Sequence, residues 1–218
     1  MLVACWSAKG GSGTTVVSIA LASVLARRSP GGALLADLAG DAPTALGLAD
    51  APGAGVAEWL AAGDAVPPDA LARLEVDAGP FRLLGRGAGP GPLPDAGGRG
   101  DVLAALLGAD PRPVVADCGS SPVGPALAVA AGATRSLLVV RPCYLALRRA
   151  VAAPIRPSGV VVVDEPGRAL APGDVEEALG VPVCAVVPVH DAVARAVDAG
   201  LLGARLPRPL ERAVRRAA

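Results

Sequence analysis

Four short runs of the sequence are mainly apolar at consecutive positions and do not alternate with polar residues. They cover residues 33–38, 114–116, 137–140 and 160–163. Runs of this kind are typical of strands that are covered on both faces, as in a parallel sheet. Segments with helical periodicity separate them. Strands that alternate with helices predict an α/β fold, with a doubly wound, mostly parallel sheet between two layers of helices, a three-layer sandwich.

The length and composition favour one domain. The chain has 218 residues, 52% of them apolar, which is enough for one sizeable core. We interpret residues 1–218 as a single domain, with a flexible Gly/Pro-rich loop over residues 85–100.

Charge and hydropathy exclude several classes of partner. Lys and Arg (20) balance Asp and Glu (20), so no excess of positive charge favours nucleic acid or an anionic membrane. No run reaches the roughly 20 apolar residues that a membrane-spanning helix needs. The four cysteines are scattered, which is typical of a reduced protein. We expect a cytoplasmic protein that partners can bring to the membrane or to a cell pole.

The strongest local motif is a glycine-rich stretch between the first predicted strand, residues 2–7, and the helix predicted over residues 14–28. It reads Ala8-Lys9-Gly10-Gly11-Ser12-Gly13-Thr14-Thr15. Glycines let successive backbone amides curl around an anion, and a helix N-terminus adds its partial positive charge. The alternative is an ordinary glycine turn between a strand and a helix.

Three features favour the phosphate loop over the ordinary turn. The stretch follows the first strand directly, and the only lysine of the chain, Lys9, lies inside it. A later strand ends in Asp117, where a Walker B aspartate would sit. The Walker pattern places Lys after the last glycine and then Ser or Thr for Mg²⁺. Here Thr14 stands at the lysine position, whereas Thr15 keeps the hydroxyl.

Residues 9–15 resemble the deviant Walker A motif, KGGxGK[ST], of the MinD/ParA ATPases. Residues 34–38 are similar to the second strand of that family, which ends in D-x-D, and residues 114–119 to its Walker B strand. Residues 181–188 and 192–200 resemble the late strand with its Ile-Pro turn and the helix that follows. The resemblance therefore extends over nearly the whole chain.

This resemblance implies a site for ATP and Mg²⁺. In the family, the early lysine, here Lys9, reaches across a dimer to the partner's nucleotide, and the loop glycines wrap the phosphates. Thr15 and Asp117 would organise Mg²⁺. The residues expected to bind nucleotide are Lys9, Gly10, Gly11, Ser12, Gly13, Thr14, Thr15 and Pro188.

Two residues are expected to serve catalysis, namely Lys9 and Asp37. Asp37 ends a predicted strand, and ligands gather at the carboxyl ends of parallel strands. It would lie near Mg²⁺ or act as a switch. The alternative for Asp37 is a solvated strand terminus.

The sequence departs from the family pattern where hydrolysis depends on it. Thr14 replaces the lysine of the β- and γ-phosphates, and Ala39 replaces the second Asp of D-x-D, which helps to place the attacking water. The chain has no Asn to read adenine, and Asp164 falls near that position. A charge-assisted contact contributes about 1.5–3 kcal/mol, and phosphoryl transfer depends on charge stabilisation in the transition state. We therefore expect ATP binding to survive and hydrolysis to be slow or absent.

Loss of the loop lysine is typical of the CpaE/TadZ-like branch, which positions pilus and secretion machinery. The resemblance thus implies a positional or regulatory protein with a pilus, septum-site or partition role, which dimerises with nucleotide and acts on a protein partner. Two alternatives stay open: a pseudo-ATPase scaffold that binds no nucleotide, and an active chromosome-partitioning ATPase. Nucleic acid is not an expected partner.

A few other residues were weighed for function. Cys118 is interpreted as a small buried residue and not as a nucleophile, because the only histidine, His190, lies in a late loop. Asp41 is expected to be a loop acid or a helix cap, and Asp191 to cap the helix after His190. Residues 208–217 predict an Arg-rich helix docked on the body of the protein.

Overall fold

The computed structural model describes residues 1–48, 53–63, 66–88, 91–95 and 97–218. Within these ranges an eight-stranded sheet forms the centre of the molecule. Its strands are β1 (Leu2–Ser7), β2 (Leu34–Asp37), β3 (Glu75–Asp77), β4 (Arg82–Leu84), β5 (Val114–Ser120), β6 (Arg135–Val140), β7 (Gly159–Asp164) and β8 (Val183–Pro188).

Nine α-helices lie within the described residues and connect most of the strands. They are α1 (Thr14–Arg28), α2 (Ala42–Leu46), α3 (Val56–Ala61), α4 (Arg99–Ala109), α5 (Gly124–Gly132), α6 (Tyr144–Val151), α7 (Pro172–Leu179), α8 (Asp191–Asp198) and α9 (Arg208–Val214). None of these helices has the length and the apolar character that crossing a membrane requires.

The strand order is β3-β4-β2-β5-β1-β6-β7-β8, and each neighbouring pair is parallel except β3 and β4. β1 lies between β5 and β6. The chain leaves β1 towards β2 on one side of the sheet and later adds β6, β7 and β8 on the other side. The strand order therefore reverses at β1, and a crevice opens there at the carboxyl ends of the strands. The predicted doubly wound α/β fold is confirmed.

Both faces of the sheet are covered by helices. Leu2, Ala4 and Trp6 pack into a core with α3 to α7, whereas Val3 and Cys5 pack into a second core with α1, α2 and α9. Every residue of β1 is buried. This two-sided burial is the physical reason why the strand sequences do not alternate.

Short elements differ from the sequence pattern. Residues 68–74, which predict a short helix, form two separate 3₁₀ turns, Pro68–Ala70 and Ala72–Leu74. The three-residue β3 and the five-residue α2 were not predicted, because segments this short lack a readable period. α4 already begins at Arg99, inside the loop predicted over residues 85–100. Residues 89, 90 and 96 of that loop lie outside the described residues, and its flexibility stays a prediction.

Candidate functional site

The loop between β1 and α1 is held in a compact turn by its own serines and by two left-handed glycines. The hydroxyls of Ser7 and Ser12 donate to the carbonyl oxygen of Lys9 at 3.1 and 2.7 Å. Gly11 and Gly13 have φ angles of 75° and 88°. This backbone conformation is unfavourable for residues with a Cβ, so glycine is needed at both positions.

The first turn of α1 is open to an anion. No side chain caps this end of the 15-residue helix, and its first turn contains no acidic residue. The first amides of a helix have no acceptor within the helix, and the helix dipole adds a partial positive charge. The end of α1 that adjoins the glycines is therefore suited to bind a phosphate.

A cavity of about 520 Å³ opens over this turn, and we call it the loop cavity. Residues 10–16 line one side of it, and residues 118–123, which follow Asp117, line another. Ser121 ties these two sides together. Its amide donates to the carbonyl of Ser7 at 2.6 Å and its hydroxyl to the carbonyl of Ala8 at 3.3 Å. It is the one non-glycine residue of the described chain with a left-handed φ, 49°, a conformation that is typical of functional sites.

Asp117 lies behind the wall of the loop cavity and is fully buried. Its Oδ1 accepts the amide of Gly119 at 3.1 Å, whereas its buried Oδ2 has no hydrogen-bond partner among the described residues. Burial raises the pKa of Asp117 to about 7. The charge of Asp37 adds to this rise, and the neighbouring Thr15 hydroxyl and the Gly119 amide lower the pKa.

These residues fit a magnesium–phosphate group. Mg²⁺ prefers oxygen ligands and is usually held by one or two protein oxygens together with phosphates and water. The orphaned Oδ2 of Asp117 and the hydroxyl of Thr15 are such oxygens, and Thr15 lines the loop cavity. A bound cation would also offset the cost of a charged, buried Asp117. The described residues contain no cluster of three or more His, Cys, Asp or Glu that would form an all-protein metal site.

A second cavity of about 200 Å³ adjoins the loop on the β7–β8 side. We call it the valine cavity, because its lining is largely Val16, Val17, Val163, Val187, Val189, Val193 and Val197. It shares Gly13 and Val16 with the loop cavity. Pro188 and Arg141 also line it, so the fold places Pro188 next to the glycine loop although the two are far apart in sequence.

Solved structures match the chain over almost its whole length, whereas no protein-family model and no curated protein matches it. The septum site-determining protein MinD of Pyrococcus horikoshii OT3, complexed with Mg-ADP, matches with a TM-score of 0.78 and 17% identity, and covers 99% of this chain and 93% of that chain. A ParA family ATPase from Chlorobium tepidum TLS matches with a TM-score of 0.73 and 18% identity, over 98% of this chain and 96% of the other. The chain has the MinD/ParA fold.

A third solved structure contains a partner protein. The MinC:MinD cell division protein complex of Aquifex aeolicus matches with a TM-score of 0.75 and 17% identity. It covers 98% of this chain and 92% of that chain. At these identities the matches show the shared fold.

Thr14 and Lys9 differ in their position relative to the loop cavity. Thr14 is buried and lines the loop cavity, where it supplies a hydroxyl and no charge. Lys9 is partly buried and does not line this cavity, although the next seven residues do. Within the described residues its ammonium has no hydrogen-bond or ion-pair partner. The lysine therefore does not replace the missing loop cation within one chain.

Asp37 lies beside Asp117 but outside the wall of the loop cavity. Its Oδ1 accepts the amides of Ala39 and Gly40 at 3.0 and 2.7 Å, and its Oδ2 accepts the amide of Ala42 at 3.0 Å. Burial raises the pKa of Asp37, and these three hydrogen bonds lower it. Asp37 is thus a buried acceptor that shapes the turn after β2. It is not a solvated strand terminus, and its catalytic role stays a prediction.

Two charged residues line the loop cavity although the sequence reasoning assigned neither of them to the site; Asp41 was expected only as a loop acid or a helix cap. Arg86 follows β4 and lines the cavity, and its guanidinium donates to the carbonyl of Gly91. Asp41 lines the cavity as well, and its side chain does not cap α2. No local motif marks either position, because the sheet order brings them to the loop only after folding.

The remaining candidates behave as structural residues. Cys118 is buried, and burial raises the pKa of its thiol well above the usual value, which keeps it protonated and unreactive. His190, and not Asp191, caps α8, because its Nδ1 accepts the amide of Ala192 at 3.0 Å. The prediction of an Asp191 cap is wrong by one residue. α9 docks on the body as expected, since Leu210 and Val214 are fully buried.

Proposed function

We propose that the protein binds ATP with Mg²⁺ in the loop cavity. The observation that carries this proposal is the pairing of two features at one cavity. The left-handed glycine turn and the uncapped end of α1 line the cavity, and the Thr15 hydroxyl, on the same side, neighbours Asp117, whose Oδ2 has no partner among the described residues. The first feature suits phosphate oxygens and the second suits the cation that accompanies them. The Mg-ADP complex of the Pyrococcus horikoshii MinD, which shares the fold, supports this proposal.

The nucleotide would span both cavities. The phosphates would occupy the loop cavity, which is lined by the glycine turn. The base would enter the valine cavity, whose apolar walls suit an aromatic ring, next to Pro188. Gly13 and Val16 line both cavities and would lie under the ribose.

Hydrolysis is proposed to be slow or absent. Thr14 and Ala39 both line the loop cavity, at the positions where the family has a lysine and an aspartate. The Thr14 hydroxyl carries no charge to offset the charge that develops on the phosphates, and the methyl group of Ala39 cannot orient a water molecule. Binding therefore survives better than turnover does, because the backbone amides and Mg²⁺ still hold the ground state.

The function proposed for this nucleotide site is a switch. The ammonium of Lys9, which has no hydrogen-bond or ion-pair partner among the described residues of its own chain, would contact the nucleotide of a second copy. ATP would then bind most tightly to the homodimer and shift the population towards it. The dimer would act as a positional or regulatory protein of the CpaE/TadZ type, in the cytoplasm, on a protein partner of a pilus, secretion or cell-division machine. The MinC:MinD complex shows the fold engaged with a partner protein.

Calorimetric titration of the purified protein with ATP, with Mg²⁺ and with EDTA in its place, tests the proposal. The same samples are then sized by light scattering and assayed for phosphate release. Magnesium-dependent binding, dimer formation and little release support the switch. Absence of binding would leave a scaffold that acts through protein contacts alone. Rapid release would indicate an active partitioning ATPase.

The Lys9→Ala variant separates the dimer from the binding step. We expect ATP-dependent dimerisation to be lost, while the monomer keeps most of its affinity for ATP. Arg156→Ala is the control, because this exposed cation lies before β7, at the opposite edge of the sheet. Unchanged dimerisation of the Lys9→Ala variant would rule out the role of Lys9 across the dimer.

A further inference from the structure

The lining of the valine cavity includes one cation, Arg141, which no motif marks. It directly follows Val140, the last residue of β6, and β6 is the immediate neighbour of β1. Val140 pairs with Val162 of β7, and the next residue, Val163, lies 3.8 Å from where a Cβ on Gly13 would be. Arg141 therefore stands at the carboxyl edge of the sheet beside the last glycine of the loop.

The guanidinium of Arg141 is incompletely satisfied. Its Nε is buried and has no hydrogen-bond partner, and within the described residues the side chain forms no other hydrogen bond and no ion pair. Asp198 lines the same cavity without pairing with it. Glu165 forms its hydrogen bond with Arg168 instead. This bond is the main reason why the pKa of Glu165 is lowered, and the charge of Arg141 has the smallest effect on it.

A partly buried guanidinium in an apolar cavity is unfavourable unless an anion completes its hydrogen bonds. Arginine presents a planar fork of donors that matches two oxygens of a phosphate. The loop that shares Gly13 with this cavity presents no cation to the loop cavity, because Thr14 stands where the lysine is expected and Lys9 does not line that cavity. An unpaired cation thus lines the cavity that adjoins this phosphate loop.

The position of Arg141 decides which phosphate it can reach. It lines the valine cavity and does not line the loop cavity, where Thr15 and the region of Asp117 would hold Mg²⁺ and the outer phosphates. A nucleotide whose base fills the valine cavity carries its ribose-linked phosphate at the junction beside Gly13. We propose that Arg141 binds this α-phosphate and so supplies, from the end of β6, part of the charge that the loop has lost. This inference rests on the proposed function, since it needs a nucleotide in the site.

The test compares the wild type with Arg141→Ala, Arg141→Lys and the control Arg156→Ala, using MgATP, MgADP and AMP as probes in displacement and calorimetric titrations. For Arg141→Ala we expect a loss of affinity of about 10- to 100-fold, by the same factor for all three probes. Arg141→Lys should lose less, because it keeps the charge but not the fork. Arg156→Ala should bind as the wild type does.

The melting temperature of the ligand-free variants separates a binding role from a structural one. Since the buried Nε has no partner to lose, Arg141→Ala should unfold at the same temperature as the wild type or above it. A clear fall in the melting temperature of Arg141→Ala, together with an unchanged nucleotide affinity of Arg141→Lys, would indicate a structural residue and overturn the proposal.

The two proposals fail in different ways. If the wild type binds MgATP and Arg141→Ala binds it equally well, the role of Arg141 is refuted and the proposed function stands. If Arg141→Ala loses at least tenfold more affinity for MgATP than for AMP, Arg141 lies on the outer phosphates, and its proposed role at the α-phosphate is refuted as well. If the wild type binds none of the three probes, the proposed function fails and the role of Arg141 fails with it.

Discussion

Asp37 and Asp117 are register partners on β2 and β5, and both carboxylates are buried at the carboxyl edge of the sheet. The two differ in their partners. Three backbone amides fill both oxygens of Asp37, whereas Oδ2 of Asp117 has no partner among the described residues. Asp37 therefore uses both carboxylate oxygens to bind amides of the turn after β2, and Asp117 is the acid with an oxygen available to a cation.

Stability of the ligand-free protein should fall as the pH rises from about 4 to 7. The pKa of Asp117 in the folded protein, about 7, lies above that of an unfolded Asp, near 3.9. Between these values the folded state holds a proton that the unfolded chain has released, so the free energy of unfolding decreases with pH, by about 4 kcal/mol at most. Denaturant titrations between pH 4 and 8 measure this slope.

The Asp117→Asn variant isolates this effect, because Asp37 also has a raised pKa and contributes a slope of the same sign. We expect the variant to lose most of the pH dependence of the wild type in this interval. Magnesium-dependent ATP binding should strengthen in the wild type as the pH rises through 7, since Mg²⁺ requires the ionised carboxylate. Identical slopes in the two proteins would show that Asp117 titrates normally.

Restoring the lysine should strengthen nucleotide binding. In Thr14→Lys, the ammonium would enter the loop cavity and contribute about 1.5–3 kcal/mol, or about 10- to 100-fold in the Kd for MgATP. Thr14→Ser serves as the control because it keeps a hydroxyl and adds no charge. Calorimetric titration measures the difference, and equal Kd values for the two variants would argue against phosphates at position 14.

Hydrolysis should return only when both departures from the family pattern are reversed. Thr14 and Ala39 line the same cavity, and Ala39 lies close to Gly119, 3.2 Å from where a Cβ on that glycine would be. We expect Thr14→Lys/Ala39→Asp to release phosphate at least tenfold faster than either single variant, because charge stabilisation and water placement act together. Additive or unchanged rates in a phosphate-release assay would show that the water is placed by another group.

Two glycines of the loop form a matched pair for a test of backbone strain. A Cβ added at Gly10 would lie 3.9 Å from Ser120 Oγ, and one added at Gly13 would lie 3.8 Å from Val163 Cγ2, so both have room. Only Gly13 has a left-handed φ, 88°. Gly13→Ala should therefore lose about 1–2 kcal/mol of stability and most of its ATP affinity, whereas the stability of Gly10→Ala should be close to that of the wild type. Equal effects on thermal unfolding would mean that the turn relaxes.

Asp37→Asn distinguishes the structural contact of this residue from a catalytic role. The variant would turn an amide donor towards at least one of the backbone amides that now donate to Asp37, so we expect a loss of about 1–3 kcal/mol in stability without ligand. Asp41→Asn is the control, since the exposed Asp41 does not cap its helix. A variant that keeps its melting temperature but loses the phosphate release expected of the Thr14→Lys/Ala39→Asp background would support catalysis by Asp37 instead.

Long elements and the glycine loop were readable in the sequence because their signals are local. The bounds of β1 and α1 agree with the pattern, since two-sided burial makes both almost continuously apolar. The positive φ angles at positions 11 and 13 require glycine there. β3, by contrast, forms by pairing with β4, and its three residues, one half-buried and two exposed, carry no period of their own.

The features of the candidate site also fall into two groups, those that the sequence predicts and those that only the structure shows. The sequence by itself determined the alternation of buried strands and helices, the glycine turn between β1 and α1 and the threonine at position 14, because each depends on residues that are adjacent in the chain. Only the tertiary structure decided that Asp37 is filled by amides while Asp117 is not, and that Arg86, Asp41 and Arg141 border the two cavities. These relationships depend on which strands become neighbours. Strand order is set by the packing of helices on both faces of the sheet, and that information is spread over the whole chain.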